Sequence, residues 1–186
     1  MFKLGLEFYM ANGPVGLAVI STRKVPIFLD LKFHDIPNTV AGAVETFRKF
    51  ESVKMITVHS GDEDIIKAAV EAAEHIEVIA VTLLTSIKTK NSTKIVLNRT
   101  EQALNAGANG IVCASNEVSK VRHKFGYDFK IIVPGIRWNE IDKGDQKRTG
   151  TPKETINAGA NYLVVGRSIT QAKNPISAAY SLLEQL

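Results

Sequence analysis

Residues 105–113 read NAGANGIVC, and residues 157–165 read NAGANYLVV. In each copy an amphipathic segment precedes the pentapeptide NAGAN, and a run of apolar residues follows it. A glycine just past a helix often adopts the left-handed conformation that closes the last turn, so each copy predicts a helix, a glycine cap and a strand. Because this unit occurs twice, the sequence favours alternating helices and strands around a parallel sheet.

Seven segments are predicted to be buried strands. They are short runs rich in Val and Ile, and they are continuously apolar rather than alternating, as in parallel strands covered on both faces. They lie near residues 1–4, 26–32, 55–59, 78–84, 110–114, 130–134 and 162–166. The pattern predicts an α/β fold of the TIM-type (β/α)8 barrel class. Since a closed barrel needs eight strands, either the first strand–helix unit is absent from this chain or the sheet is open.

Helix starts separate these strands. Pro37 suits the first turn of a helix that we expect to run to about Phe50, and the acids of residues 61–64 precede a helix reaching about His75. Further starts are predicted at residues 116–117, 151–152 and 174–175. No linker or low-complexity tract interrupts the pattern, so we expect residues 1–186 to form a single domain.

The composition narrows the functional class. The chain has 186 residues, of which 45% are hydrophobic and 23% charged, with a net charge of +4. This profile is typical of a soluble globular protein. From the sequence we expect no nucleic-acid-binding face, no membrane-spanning segment and no secretory signal. The one cysteine, Cys113, is expected in the core, and we expect a cytoplasmic location.

The stretch with the most chemistry is residues 30–39, DLKFHDIPNT. Side chains alternate along a strand, so Asp30 and Lys32 should share the face that lines the barrel interior at the carboxyl end of the strand, where such barrels hold their active sites. Asp35 follows in the turn before Pro37. Three ionisable groups beside an apolar strand indicate a catalytic site; the alternative is an ion pair that closes a strand end.

Two further segments suggest a ligand with a phosphate group. Gly166 and Arg167 follow the last predicted strand, where barrels of this class often bind phosphate; the alternative is an exposed arginine. Residues 134–150 form a long polar segment that we interpret as a binding loop or lid, although a solvated surface loop has the same pattern. His59 is predicted to be a packed histidine, and no set of His, Cys, Asp and Glu has the spacing of metal ligands.

The stretch of residues 30–39 resembles the signature of the orotidine 5'-phosphate decarboxylase family. Corroborating segments occur in the family's order at residues 2–8, 84–86, 134–137, 145–148 and 166–167. The resemblance implies a cofactor-free, metal-free decarboxylase of pyrimidine biosynthesis that converts orotidine 5'-phosphate to uridine 5'-phosphate.

The resemblance also implies roles for particular residues. Lys3, Asp30, Lys32 and Asp35 match the family's catalytic array, in which Lys32 protonates the carbanion at ring carbon C6 and the last aspartate reaches the partner's site in a homodimer. The matching substrate-binding positions are Ile36, Thr39, Thr85, Arg137, Gln146, Gly166 and Arg167. Gln146 is expected to bridge pyrimidine and phosphate.

The family has one more strand and helix before the segment at Phe2 and Lys3, with an aspartate that binds the substrate ribose. We expect this chain to lack that unit and to have reduced or no activity, because Lys3 would lie on a frayed end beside an unpaired sheet edge. Adding the unit and comparing turnover tests this expectation. Two alternatives stay open: a related magnesium-dependent sugar-phosphate enzyme, which shares the aspartate–lysine–aspartate core, and a non-catalytic nucleotide-binding remnant, which the missing unit favours.

Overall fold

The computed structural model describes residues 1–87, 89–136 and 150–186. Strands and helices alternate along the described chain, as predicted, until two helices follow the last strand. The elements are β1 (Phe2–Gly5), α1 (Leu6–Ser21), β2 (Ile27–Phe33), α2 (Pro37–Glu45), β3 (Val53–His59), α3 (Glu63–Ala73), β4 (Glu77–Val81), α4 (Ser92–Asn105), β5 (Gly110–Val112), a 3-10 turn (Ser115–Glu117), α5 (Val118–Phe125), β6 (Lys130–Pro134), α6 (Pro152–Asn157), β7 (Tyr162–Val164), α7 (Arg167–Thr170) and α8 (Pro175–Leu183).

The seven predicted strands are confirmed within the described residues, and they follow one another in chain order in one sheet. Three of them are shorter than predicted: β4 ends at Val81, β5 at Val112 and β7 at Val164. The chain's contacts divide it into two compact units, residues 1–81 with 99–111 and residues 82–98 with 112–186. The expectation of a single domain stays a prediction.

The first unit contains β1 to β4 in parallel register. Phe2 pairs with Ile27, Ile27 with Val53, and Met55 with Glu77. Its core is a set of apolar side chains without solvent exposure: Leu17, Ile27, Leu29, Ile56, Ile66 and Ile79. Apolar side chains on both faces of these strands explain why the sequence shows continuous rather than alternating runs.

The second unit is built around β6 and β7. Ile132 pairs with Tyr162 and Pro134 with Val164 in parallel register, and the amide of Cys113 donates to the carbonyl of Ile132. Cys113 is fully buried, which confirms its predicted core position. In the part of the chain that the structure describes, no helix combines the length and the apolar character required to span a bilayer.

The helix starts are confirmed, but one helix end is wrong. Pro37 is the first residue of α2, and the side chains of Asp62, Thr151 and Asn174 cap α3, α6 and α8. The helix predicted to reach about Phe50 ends at Glu45. There the backbone changes to turns with bonds to the third preceding residue, such as Phe50 to Phe47, because 3-10 bonding commonly tightens the last turn.

The NAGAN repeat has a structural explanation beyond its glycine. Gly107 and Gly159 have φ angles of 86° and 108°, which confirms the predicted left-handed caps. The asparagine after each cap bonds to the neighbouring strand that precedes it in the chain. Asn109 donates its backbone amide to the Val78 carbonyl, and its side-chain Oδ1 accepts from the Val78 backbone amide at 2.8 Å. Asn161 makes the same pair of bonds with Ile131. Each asparagine thus fixes the register of the strand that follows it against the neighbouring strand.

We predict that Asn161→Ala destabilises the protein more than Asn109→Ala. Both changes leave a strand amide without its side-chain acceptor, at a cost of about 1–3 kcal/mol. Asn161 Oδ1 also accepts a bond of 2.7 Å from Arg122, a buried guanidinium that Asn161→Ala would deprive of a partner. Urea unfolding measures both costs. The matched control is Asn157→Ala, the exposed first asparagine of the same repeat; an equal loss in this control would refute the explanation.

Candidate active site

Two lysines, Lys3 on β1 and Lys32 on β2, bind one aspartate, Asp30 on β2. The β1–β2 register places Lys3 opposite Phe28 and Gly5 opposite Asp30. Lys3 Nζ donates to Asp30 Oδ2 at 2.8 Å, and Lys32 Nζ donates to Asp30 Oδ1 at 2.7 Å. Each carboxylate oxygen therefore has its own ammonium partner. The structure brings together three of the four residues predicted for the catalytic array.

The expectation that Asp30 and Lys32 share a face through regular alternation is only partly right. Both side chains do meet, but β2 is irregular there: Leu29 pairs with Ile56 and Phe33 with Val58, so four steps along β2 match two along β3. Within this bulge Lys32 has φ of 54°, a left-handed conformation that costs about 1–2 kcal/mol for a residue with a side chain. The bulge, not a regular pleat, aims the lysine.

Thr57 is a site residue that the sequence analysis missed. It lies on β3 opposite the bulge with no solvent exposure. Its Oγ1 accepts from the Lys32 amide at 2.8 Å and donates to Asp30 Oδ1 at 3.1 Å. A threonine inside an apolar strand has no distinguishing signal in sequence, because threonine is common in strands.

The environment keeps Asp30 ionised. Burial by itself raises the pKa of this carboxyl, but the charge of Lys3 and the hydrogen bonds from Lys3 and Lys32 outweigh burial, so its pKa lies below the ordinary 3.8. The Asp30 side chain is 11% exposed and that of Lys32 is 36% exposed. The acid therefore lies behind the amine, and the amine faces open space, where it can stabilise or protonate a carbanion on a ligand.

A pair of histidines lies near this array. The rings of His34 and His59 are 5.2 Å apart between centroids, and His59 is half-buried at the end of β3. Burial lowers the pKa of His59 below its ordinary 6.5; the charges of His34, Lys32 and Arg99 lower it further, and Asp30 acts in the opposite direction. The prediction of a packed histidine agrees with the partial burial.

Asp35 lies outside the array of the three charged groups. It follows β2 with an exposed side chain, and its Oδ1 accepts from the Ile36 amide at 2.7 Å. Ile36 and Thr39, two predicted substrate-binding residues, are exposed beside it.

The second unit contains the other predicted binding residues that the structure describes. Thr85 lies half-buried in a turn after β4. Gly166 precedes α7, its carbonyl accepts from the amides of Ile169 and Thr170, and Arg167 is exposed at the first position of that helix.

Two of the predicted binding residues fall outside the part of the chain that the structure describes. Arg137 and Gln146 lie outside the described residues, as does most of the predicted loop. The ends of that segment are joined by a parallel bridge between Ile136 and Gly150. Among the residues that the structure describes, no group of three or more His, Cys, Asp and Glu is arranged to hold a metal ion.

Comparison with known proteins adds an independent line of support. Residues 1–182 match the family described as "Orotidine 5'-phosphate decarboxylase / HUMPS family". The chain is 44% identical to the orotidine 5'-phosphate decarboxylase of Wolbachia pipientis subsp. Culex pipiens, in an alignment covering 100% of this chain and 87% of that protein. It is 42% identical to the protein of the same name from Ehrlichia canis, covering 100% and 86%.

A solved structure is similar as well. The crystal structure of orotidine 5'-phosphate decarboxylase from Lactobacillus acidophilus has a TM-score of 0.85 and 31% sequence identity, and the match covers 98% of this chain and 85% of that chain. This similarity confirms the predicted fold class of the TIM-type (β/α) barrel.

We predict that the protein becomes less stable as the pH falls below about 6.5, and that His59→Gln reduces this dependence. In the unfolded chain His59 takes up a proton near its ordinary pKa of 6.5, whereas the folded protein resists protonation because the pKa is lowered. The unfolded state therefore binds more protons in this window, and the stabilisation is lost as the pH falls through the folded pKa.

Melting temperatures measured from about pH 7.5 down to about pH 5 check this prediction. The control is His75→Gln, which changes an exposed histidine after α3. A pH dependence that is the same in wild type and His59→Gln would contradict the assignment.

Proposed function

Because the chain belongs to the orotidine 5'-phosphate decarboxylase / HUMPS family, we propose that it converts orotidine 5'-phosphate to uridine 5'-phosphate and carbon dioxide, a step of pyrimidine biosynthesis. The relatives at 44% and 42% identity over the whole chain bear the name of this decarboxylase. The observation that carries the proposal is the Lys3–Asp30–Lys32 array, with ammonium-to-carboxylate distances of 2.8 and 2.7 Å.

The proposed bond breaking and proton transfer use the Lys3–Asp30–Lys32 array and water. The bond between ring carbon C6 and the carboxylate breaks, carbon dioxide leaves, and the electron pair stays on C6. The ammonium of Lys32 stabilises that charge and transfers a proton to C6, after which the neutral amine takes a proton from water. Asp30 fixes the ammonium in place and, being ionised, repels the substrate carboxylate.

We propose that the predicted substrate-binding residues supply binding energy through contacts with parts of the substrate that are remote from C6. A phosphate group is suited to guanidinium groups and to backbone amides next to a glycine. The substrate-binding residues that the family resemblance implies, and that we propose, are Ile36, Thr39, Thr85, Arg137, Gln146, Gly166 and Arg167; among them Arg137, Gly166 and Arg167 have the chemistry of a phosphate site. Such contacts can stabilise the closed, reactive state without taking part in the chemistry.

A homodimer is part of the proposal. The exposed Asp35 and Ile36 support it, since Asp35 lies apart from the array in its own chain. As the family resemblance implies, we propose that Asp35 reaches the array of a partner. A cytoplasmic location stays a prediction.

We expect wild-type protein to decrease the absorbance of orotidine 5'-phosphate, with no change after treatment with EDTA. Lys32→Ala should lower kcat by about 10⁴-fold, the upper range for loss of a positioned acid. Asp30 keeps its bonds to Lys3 and Thr57 in this variant, so the melting temperature should change little. Lys54→Ala, an exposed lysine on β3, is the matched control.

Other outcomes of this assay identify the alternatives. Turnover of a sugar phosphate that requires magnesium would assign the chain to the related sugar-phosphate enzymes. Binding of uridine 5'-phosphate without turnover of orotidine 5'-phosphate would indicate a nucleotide-binding remnant.

Mixing two inactive variants tests the shared site. We expect Lys32→Ala and Asp35→Ala to be inactive alone and to recover about a quarter of wild-type activity when equal amounts exchange subunits, because half of the dimers are mixed and each mixed dimer has one intact site. If Asp35 acted within its own chain, mixing would restore nothing. Size-exclusion chromatography with light scattering checks that dimers form and exchange.

A further inference from the structure

The strained bulge of β2 has a buried polar residue opposite it. Thr57 lies on β3 between Ile56 and Val58, the two residues that pair across the bulge. Its neighbours on the strand are apolar and buried, and Thr57 itself has no solvent exposure. A buried hydroxyl among apolar side chains is unfavourable unless it is hydrogen-bonded, so its partners show its role.

The Thr57 hydroxyl bonds both to the Asp30 carboxylate and to the Lys32 backbone amide. A threonine hydroxyl has one proton and two lone pairs. The ionised carboxylate can only accept, so the proton goes to Asp30 Oδ1 at 3.1 Å, and a lone pair accepts the Lys32 amide at 2.8 Å. The hydroxyl therefore joins the acid side chain to the left-handed backbone of the lysine, whose φ is 54°.

We propose that Thr57 is a positioning residue for the decarboxylation, which holds the Asp30 carboxylate and the Lys32 backbone in a single arrangement. The inference rests on the proposed function for its effect on catalysis, and on the two hydrogen bonds for its effect on structure. A methyl group in place of the hydroxyl would fill the same space but would leave the Lys32 amide without an acceptor and Asp30 Oδ1 with one donor fewer. The lysine would then sample other orientations.

Such a residue affects kcat more than KM. The array acts on the reacting carbon, whereas most of the proposed binding contacts lie elsewhere on the substrate. A small displacement of a catalytic group can lower the rate by about 100-fold. A residue that only stabilises the fold would lower the amount of active protein but would leave kcat per folded molecule unchanged.

The experiment compares Thr57→Val, which keeps the shape, with Thr57→Ser, which keeps the hydroxyl. We expect Thr57→Val to lower kcat by about 10- to 100-fold with KM within about twofold, and Thr57→Ser to stay within about threefold of wild type. Thr100→Val, a fully buried threonine on α4, is the control for loss of a core hydroxyl and should keep wild-type kcat. Equal kcat in wild type and Thr57→Val, or equally low kcat in Thr57→Val and Thr57→Ser, would overturn the proposal.

A measurement without turnover separates this inference from the proposed function. In wild type the Lys32 amide should exchange slowly with deuterium in NMR spectra; in Thr57→Val it should exchange faster, and the pKa of Asp30 should rise because its ionised form loses a donor. A wild type without turnover would refute the proposed function alone. A Lys32 amide that exchanges as fast in wild type as an exposed amide would refute the role of Thr57, even if Thr57→Val did not fold.

Discussion

The carboxylate of Asp30 is the group on which the candidate site depends. It is removed from most of its solvent, and two ammonium groups and one hydroxyl replace the water that it has lost. A buried charge that loses all of its partners costs about 3–5 kcal/mol, but Asp30 has two ammonium partners and keeps one of them when either lysine is replaced. The need to keep this carboxylate paired is therefore the constraint on this part of the fold, and the bond between Lys3 and Asp30 links β1 to β2.

This constraint also explains the local backbone. If β2 and β3 paired in a regular parallel register, there would be no bulge, and the Lys32 amide would donate to a backbone carbonyl of the neighbouring strand. Instead the extra residues lie at the carboxyl end of the strand, next to the site, where bulges often redirect a side chain. The strained backbone of Lys32 persists because its hydrogen bonds to Thr57 and Asp30 hold it in this conformation.

The charges in this region suit the proposed chemistry. Two ammonium groups face one carboxylate, so an anionic substrate meets an excess of positive charge, while the acid maintains the lysines at fixed positions. Two histidines lie beside the array, and burial together with neighbouring cations lowers the pKa of His59, which keeps further positive charge from accumulating there near neutral pH. The site thus combines a fixed ammonium group with a limited net charge.

The sequence by itself determined the order of strands and helices, because hydrophobic periodicity, proline and side-chain caps, and glycine after a helix act over a few residues. It also predicted Asp30 and Lys32, two positions apart, as site residues, and the structure places their side chains in contact. It could not locate the end of α2, where turns compete with the helix, nor the second role of Asn109 and Asn161. Only the tertiary structure decided that Thr57 contacts Asp30 across 27 residues and that Lys32 lies in a bulge, because both depend on the register of β2 against β3.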